Sequence, residues 1–394
     1  MDDLRERLRA LPCGRRLLDV ASGLDGVHLV GGAVRDLLLE RVPRELDVVV
    51  EGDADALVAA LGETATAHAR FGTATVTAGD CRFDVAAARA EVYARPGALP
   101  DVRPAAIDDD LRRRDVTVNA IALDLHSGEL RAVDHALDDL DKRRLRVLHD
   151  ASFQDDPTRL WRLARYAARL LFELEPHTAR LAAAAVAAGA VERVSGARIG
   201  RELRLALAEP DPVAALASAV GLGLAPWLAP DRARVAAALA LLPAAEGRAD
   251  LVVLGASLTE VAGDADRRLA GLEFTAAERA VLRATARAPA IAVAATAARR
   301  PSQLAAVLRG LPVEAVALAG ASGAAEPVRR WLDELRHVAL AIGGDDLLAA
   351  GVRRGPRIGR RLAATLERRL DGELDDDPAA QLRAALQPPA TALD

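Results

Sequence analysis

The sequence predicts an α+β head, a mixed sheet with helices, followed by an all-α neck, body and tail. Three observations predict it. Up to about residue 150, short β-branched runs alternate with stretches of helical spacing. From Asp155 onward, apolar residues recur almost only at helical period. Alanine, the strongest helix former, is abundant throughout. With 51% hydrophobic and 28% charged residues in 394, the chain has the composition of a folded protein of several domains, not of a disordered one.

The elements follow in order. Val27–Val30 is a strand that runs straight into Gly31-Gly32, and residues 33–40 then take helical spacing. Leu46–Val50 is a strand by length and β-branching, closed by Glu51-Gly52-Asp53, and residues 54–61 read as a helix. Residues 73–78 and 82–87 form paired strands across a Gly79-Asp80 turn, and residues 121–125 and 130–133 pair around His126-Ser127-Gly128. Leu160, Leu163, Ala164, Ala167, Ala168 and Leu171 mark one helical stripe. Glu209-Pro210-Asp211-Pro212 and Leu228-Ala229-Pro230 punctuate further helices, and residues 240–330 read as alanine-rich helices broken at Pro243, Pro289 and Pro301. The expected domains are 1–150 (head), 151–210 (neck), 211–340 (helical body) and 341–394 (tail).

A formal net charge of −5 argues weakly against a protein coated in nucleic acid. No apolar run reaches the roughly 18 residues needed to span a membrane, and Met1-Asp2-Asp3-Leu4-Arg5-Glu6 lacks a signal-peptide core. Cys13 and Cys81 stand alone without metal spacing, which reads as a reduced, cytoplasmic chain.

Two arrangements carry chemistry. Gly31 and Gly32, between a strand and a helix, let the backbone approach a phosphate, and Arg35 one turn later could pair with a triphosphate oxygen. Taken alone, such a pair also fits a plain turn. Glu45-Leu46-Asp47 puts two carboxylates on one face of a strand, where they could grip Mg²⁺ and so activate a 3′-hydroxyl. A charged strand entry is the simpler alternative for an isolated pair. Asp84 on the later strand is a third carboxylate.

Gly31-Gly32-Ala33-Val34-Arg35-Asp36-Leu37-Leu38, followed by Leu46-Asp47-Val48-Val49-Val50-Glu51-Gly52, closely resembles the nucleotidyltransferase head of the bacterial CCA-adding enzymes and poly(A) polymerases. Phe71-Gly72-Thr73 and Phe83-Asp84-Val85-Ala86 resemble its next strands, and residues 91–100 resemble its flexible loop. The run from Leu111 through Arg114-Asp115 to Asn119 is similar to its ribose motif, and Asp155-Asp156-Pro157-Thr158-Arg159 through Arg169 to its base-selecting helix. Ile342-Gly343-Gly344-Asp345-Asp346-Leu347, with Gly355-Pro356, resembles its tail. Four positions depart from the pattern: Glu45 stands where the metal pair usually begins with Asp, Asp155 where Glu is usual, Glu40 where Gly is usual, and Ala197 where Glu is common.

The resemblance implies a Mg²⁺-dependent enzyme that adds C, C and A to a tRNA 3′ end from CTP and ATP, with release of pyrophosphate. Glu45 and Asp47 would hold the metal, with Asp84 as a further catalytic carboxylate. Gly31, Gly32 and Arg35 would hold the triphosphate, and Arg114, Asp115 and Asn119 the ribose. Asp156, Arg159, Arg162 and Arg165 would meet the base from one helix. Asp156 and Arg159, three apart, would lie side by side. Cytosine and adenine share an amino donor beside a ring-nitrogen acceptor, which a carboxylate and a guanidinium complement. Uracil and guanine mismatch both. With only 3% aromatic residues, discrimination is expected to rest on hydrogen bonds and not on stacking. Arg353, Arg354, Arg357, Arg360 and Arg361 form a dense basic patch, read as an RNA contact or a solvated helix face. A poly(A) polymerase or A-adding enzyme of the same family shares nearly all of these residues, and a catalytically impaired RNA-binding protein is the remaining alternative.

Overall fold

The computed structural model describes residues 2–62, 64–68, 73–259 and 262–387, so Phe71 and Gly72 lie outside the described residues. The chain divides into two compact units, Met1–Pro226 and Trp227–Asp394.

The first unit opens with α1 (Asp2–Ala10) and α2 (Pro12–Ala21), then β1 (Val27–Val30), α3 (Gly32–Leu38), β2 (Leu46–Val50) and α4 (Asp55–Leu61). The hairpin β3 (Thr64–His68) and β4 (Thr73–Ala78) leads into β5 (Cys81–Ala87). The sequence reading misses a second hairpin, β6 (Arg89–Val92) and β7 (Asp101–Pro104), which flanks the loop that resembles a flexible one. After α5 (Ile107–Arg112), β8 (Ile121–Asp124) and β9 (Leu130–Ala132) form the expected pair.

The main sheet has the order β3-β4-β5-β2-β1-β8-β9. Within this sheet, among the described residues, only β2 and β5 pair in parallel, which is why the head needs the α4–β4 crossover between them. β1 is buried along its whole length, His28 included, as befits a strand inside a sheet covered on both faces. Val30, Val49, Ala88, Ile107, Leu111, Ala120 and Ala122 make one core cluster under α5.

Cys13 on α2 and Cys81 at the start of β5 are joined in a disulfide, with a Cα–Cα distance of 5.4 Å and a sequence separation of 68. This corrects the expectation of two lone, reduced cysteines. Sequence spacing says nothing about the packing of α2 on β5, which brings them together. Closing a loop of this length restricts the unfolded chain. Reduction is therefore expected to lower the unfolding free energy by about 2–4 kcal/mol, read from urea titrations with and without a dithiol.

Helices follow: α6 (Ala136–Asp141), then the short α7 (Ser152–Asp155), α8 (Thr158–Leu170), α9 (Pro176–Ala187), α10 (Gly196–Leu207) and α11 (Pro212–Gly221). Two-residue strands β10 (Arg144–Leu145) and β11 (Glu173–Leu174) pair in parallel before and after α8. Leu160, Leu163 and Ala164 are buried as the stripe predicts. Leu171 is not: it ends α8 in the left-handed conformation and is 80% exposed.

The second unit is helical: α12 (Arg232–Leu239), α13 (Ala249–Ser257), α14 (Ala262–Gly271), α15 (Ala276–Thr285), α16 (Ala288–Ala297), α17 (Pro301–Leu308), α18 (Val313–Ala319) and α19 (Ala325–Asp333), then α20 (Gly344–Ala349), α21 (Pro356–Leu370) and α22 (Pro378–Leu386). Pro289 and Pro301 sit in the first turns of α16 and α17, where a missing N–H costs nothing. Residues Ala315–Ala319 of α18 are fully enclosed by their neighbours. The tail helices pack through Ile342, Leu347 and Ala385, and buried Gln381 ties them by accepting from Ala341 N–H and donating to the Asp375 carbonyl. No helix among the described residues is long and apolar enough to cross a membrane.

Candidate active site

Asp47 lies in β2 and Asp84 in β5, directly opposite one another in the parallel register. Glu45 is exposed one residue before β2, yet the three side chains each bring a carboxylate oxygen within 4.8 Å of the others. Thr75 of β4 donates to Asp84 Oδ1 at 2.6 Å and fixes that carboxylate. Burial is the main reason that the Asp47 carboxyl is pushed up to about 6; Arg114 opposes the shift, while Glu45 and Asp84 reinforce it. Three clustered carboxylates, hard oxygen donors that repel one another, fit a divalent cation.

Asp47 faces a cavity of about 490 Å³ whose wall also includes Gly31, Gly32, Arg114, Asp115, Asn119, Asp156, Arg159 and Arg162. Gly31 has φ +68°, and a Cβ there would stand 2.7 Å from an Arg114 guanidinium nitrogen, so the close approach needs glycine. Arg114 also donates to buried Asp110 at 3.0 Å. Although burial alone would raise Asp110, Arg114 and Arg113 outweigh it and hold its pKa below the usual carboxylate range. Asp115 accepts from Asn119 (3.2 Å) and from the Tyr166 hydroxyl (2.9 Å), with Arg162 Nε 3.4 Å away. Arg162 also lies 3.8 Å from Asp156, between the two acids.

Asp156 is not in a helix. It is an extended residue between α7 and α8, because Pro157 disfavours helical backbone before it. Its Oδ1 accepts from Thr158 N–H (3.0 Å), from the Thr158 hydroxyl (2.6 Å) and from Arg198 of α10 (2.6 Å). Arg159, 3% exposed, donates to Ser152 Oγ and to the Arg113 carbonyl. The Nε atoms of Arg114, Arg159 and Arg162 are buried without a hydrogen-bond partner among the described residues. Arg114, Arg159 and Arg162 bring three guanidinium groups to the wall of one cavity, which suits an anionic ligand.

Two residues expected at the nucleotide sit elsewhere. Arg35 is 2% exposed, donating to Asn119 Oδ1 at 2.6 Å and to Asp36, so it braces Asn119 and does not line the cavity. Arg165 is also absent from the wall; it donates to Glu202 and Glu209, each at 3.0 Å, and Arg169 donates to Glu209 as well. Removing Glu209 would leave buried Arg165 short of a counter-charge. Glu209→Ala is expected to lose about 3 kcal/mol of stability, measured by denaturant unfolding.

Arg198 was missed as a site residue, although it stands in the motif whose Ala197 departs from the family pattern. It donates to Asp156 and, at 3.0 Å, to the Gly97 carbonyl, so α10 reaches Asp156 and the β6–β7 loop directly. Tyr93, Leu99, Pro100 and Tyr166 also line the cavity. In the second unit, Arg353, Arg354, Arg357 and Arg360 are exposed beside or on α21, while Arg361 is half-buried and donates to the Ala385 carbonyl.

A Poly A polymerase head domain model matches residues 27–146. An A-adding tRNA nucleotidyltransferase of Geobacter sulfurreducens is 34% identical over 396 residues, covering 91% of this chain and 45% of that protein. The chain spans half or less of the length of the first curated relatives it matches. Among solved structures, an apo CCA-adding enzyme is 27% identical with a TM-score of 0.79, covering 94% of both chains. The Thermotoga maritima CCA-adding enzyme complexed with tRNA is 26% identical with a TM-score of 0.76, covering 98% of both. Residues 27–146 thus match a Poly A polymerase head domain, and the chain as a whole is similar in sequence and fold to tRNA nucleotidyltransferases and CCA-adding enzymes.

Proposed function

We propose that the protein is a cytoplasmic, Mg²⁺-dependent tRNA nucleotidyltransferase that adds C, C and A to the tRNA 3′ end from CTP and ATP without a nucleic-acid template. One observation carries this reading: a single cavity joins Asp47, from the carboxylate cluster, to Asp156 and Arg159. Mg²⁺ bound by Glu45, Asp47 and Asp84 would supply charge for the attacking 3′-oxygen and for the departing pyrophosphate. Glu45 is longer by one methylene than the usual aspartate, and from its exposed position just before β2 its carboxylate still comes within 4.8 Å of the other two. Arg114, over Gly31, binds the triphosphate side, while Asp115 and Asn119, braced by Tyr166 and Arg35, take the ribose hydroxyls. Asp156 keeps Oδ2 for an amino group, and Arg159 donates to the ring nitrogen of C or A. In the tail, the arginines from Arg353 to Arg361 contact tRNA phosphates, so binding weakens steeply with salt.

The test is incubation of CCA-less tRNA with Mg²⁺ and with CTP and ATP separately and together, followed by end sequencing. The expected product is C, C, A and a stop. Failure to incorporate CTP would sink this reading. A second reading, addition of the terminal A alone, is favoured by the A-adding relative. It requires no C incorporation but A addition to tRNA ending in CC. A long A tract would instead mark a poly(A) polymerase, and tRNA binding without turnover an impaired RNA-binding protein.

A further inference from the structure

A nucleobase has a polar edge and two apolar faces, so a pocket that holds one needs a wall for each. In the cavity of the first unit the edge-reading side is α8 with the turn before it, which brings Asp156, Thr158, Arg159 and Arg162. The opposite kind of surface comes from the β6–β7 loop: Tyr93, Leu99 and Pro100. The chain has only two tyrosines, and both line this one cavity. Tyr166 is already committed, with its hydroxyl on Asp115 and the Arg169 guanidinium 5.7 Å from its ring centre.

Tyr93 is held differently. Its hydroxyl donates to Glu91 Oε2 at 2.9 Å, and Glu91 Oε1 in turn accepts from Arg113 at 2.9 Å. The ring is thus fixed by its tip while its faces stay apolar and half-buried. Burial, reinforced by Glu91, pushes the phenol up to about 12, and Arg159 and Asp156 are close enough to act on it electrostatically. A ring of fixed orientation beside the two base-edge readers has the placement of a stacking platform.

We propose that Tyr93 supplies the stacking face for the incoming nucleobase, so that base choice rests on a clamp of ring and edge and not on hydrogen bonds alone. The proposal rests on the nucleotide-binding reading of the cavity. It assigns to the loop a direct contact with the base, made by one side chain.

The test is calorimetric titration of full-length protein, in Mg²⁺ without RNA, with ATP, CTP and base-free ribose 5-triphosphate. Tyr93→Ala and Tyr93→Leu are expected to weaken ATP by about tenfold or more, and CTP by less because its ring is smaller. Base-free triphosphate should bind all proteins alike, and Tyr93→Phe should stay within about twofold of the unaltered chain. Equal loss in Tyr93→Phe would mean that the Glu91 hydrogen bond matters and stacking does not, which overturns the proposal. A parallel loss of the base-free compound, or no loss of ATP, would overturn it too. The cavity's nucleotide reading fails separately, if the unaltered protein binds the base-free compound as tightly as ATP and CTP.

Discussion

Asp47→Ala is expected to lower turnover by at least about a thousandfold while leaving the protein folded. The carboxylate is the member of the cluster that both faces the cavity and sits in the sheet, so its loss removes the metal's anchor and not merely one of several ligands. Single-turnover extension of a CCA-less tRNA measures this, with far-UV circular dichroism as the fold control. Asp47→Asn adds a second readout with a defined sign. The pKa of Asp47 in the metal-free fold is about 6, above its ordinary value of 3.8. The protonated form therefore favours folding, and stability is fully present below about pH 4 and lost as pH rises through 6. An amide cannot ionise. The metal-free Asn variant should be more stable than the unaltered chain at pH 7 to 8, and the gap should close towards pH 4. In the unaltered chain, metal should compete with a proton below pH 6, so its affinity should fall there. Equal thermal stability of the two proteins at pH 8 without metal would contradict this account.

The second large effect concerns fidelity. On the proposed reading, Asp156→Ala would remove the acceptor for the amino group, and it leaves Arg198 and Arg162 facing a gap. Arg159→Ala would remove the proposed donor to the ring nitrogen, together with the bonds to Ser152 and the Arg113 carbonyl. Each mismatched group in a desolvated pocket costs roughly 1–3 kcal/mol, or about 5- to 150-fold in discrimination. Both variants should therefore lose kcat/KM for CTP and ATP by that range, while UTP and GTP change little. Competition assays with all four nucleotides, read by end sequencing, report the ratio directly. A uniform fall for all four would point to collapse of the α7–α8 turn and not to lost recognition.

The parts of the fold that were legible in sequence are those where one local signal suffices. β1, β2 and the β4–β5 hairpin read correctly because β-branched residues and a Gly79-Asp80 turn define them within a few positions. The β6–β7 hairpin carries no such pattern. In Arg-Ala-Glu-Val and Asp-Val-Arg-Pro half the residues are polar and none is buried, and Arg113, just past α5, supports them by donating to the Arg89 carbonyl and to Glu91. The Cys13–Cys81 bond was illegible for the same reason, since only the packing of α2 on β5 creates it. Site chemistry was legible by residue type and less so by direction. Asp47, Asp156 and Arg159 do share one cavity, but Arg35 turns inward because Asp36 and Asn119 satisfy it, and Arg165 because Glu202 and Glu209 do. Helical spacing could not warn that Pro157 would push Asp156 out of the helix.

The pairing of Asp47 with Asp84 across β2 and β5 makes the metal cluster a property of sheet alignment. In a strand, displacement by a single residue sends every side chain to the opposite face. A chain in which β5 settled one position off would keep its backbone ladder, its helices and much of its bulk, yet would turn Asp84 away from Asp47. On the proposed metal-binding reading, metal affinity would thus be a readout of folding fidelity, able to separate correctly aligned molecules from compact misaligned ones that spectroscopy of secondary structure would count as native.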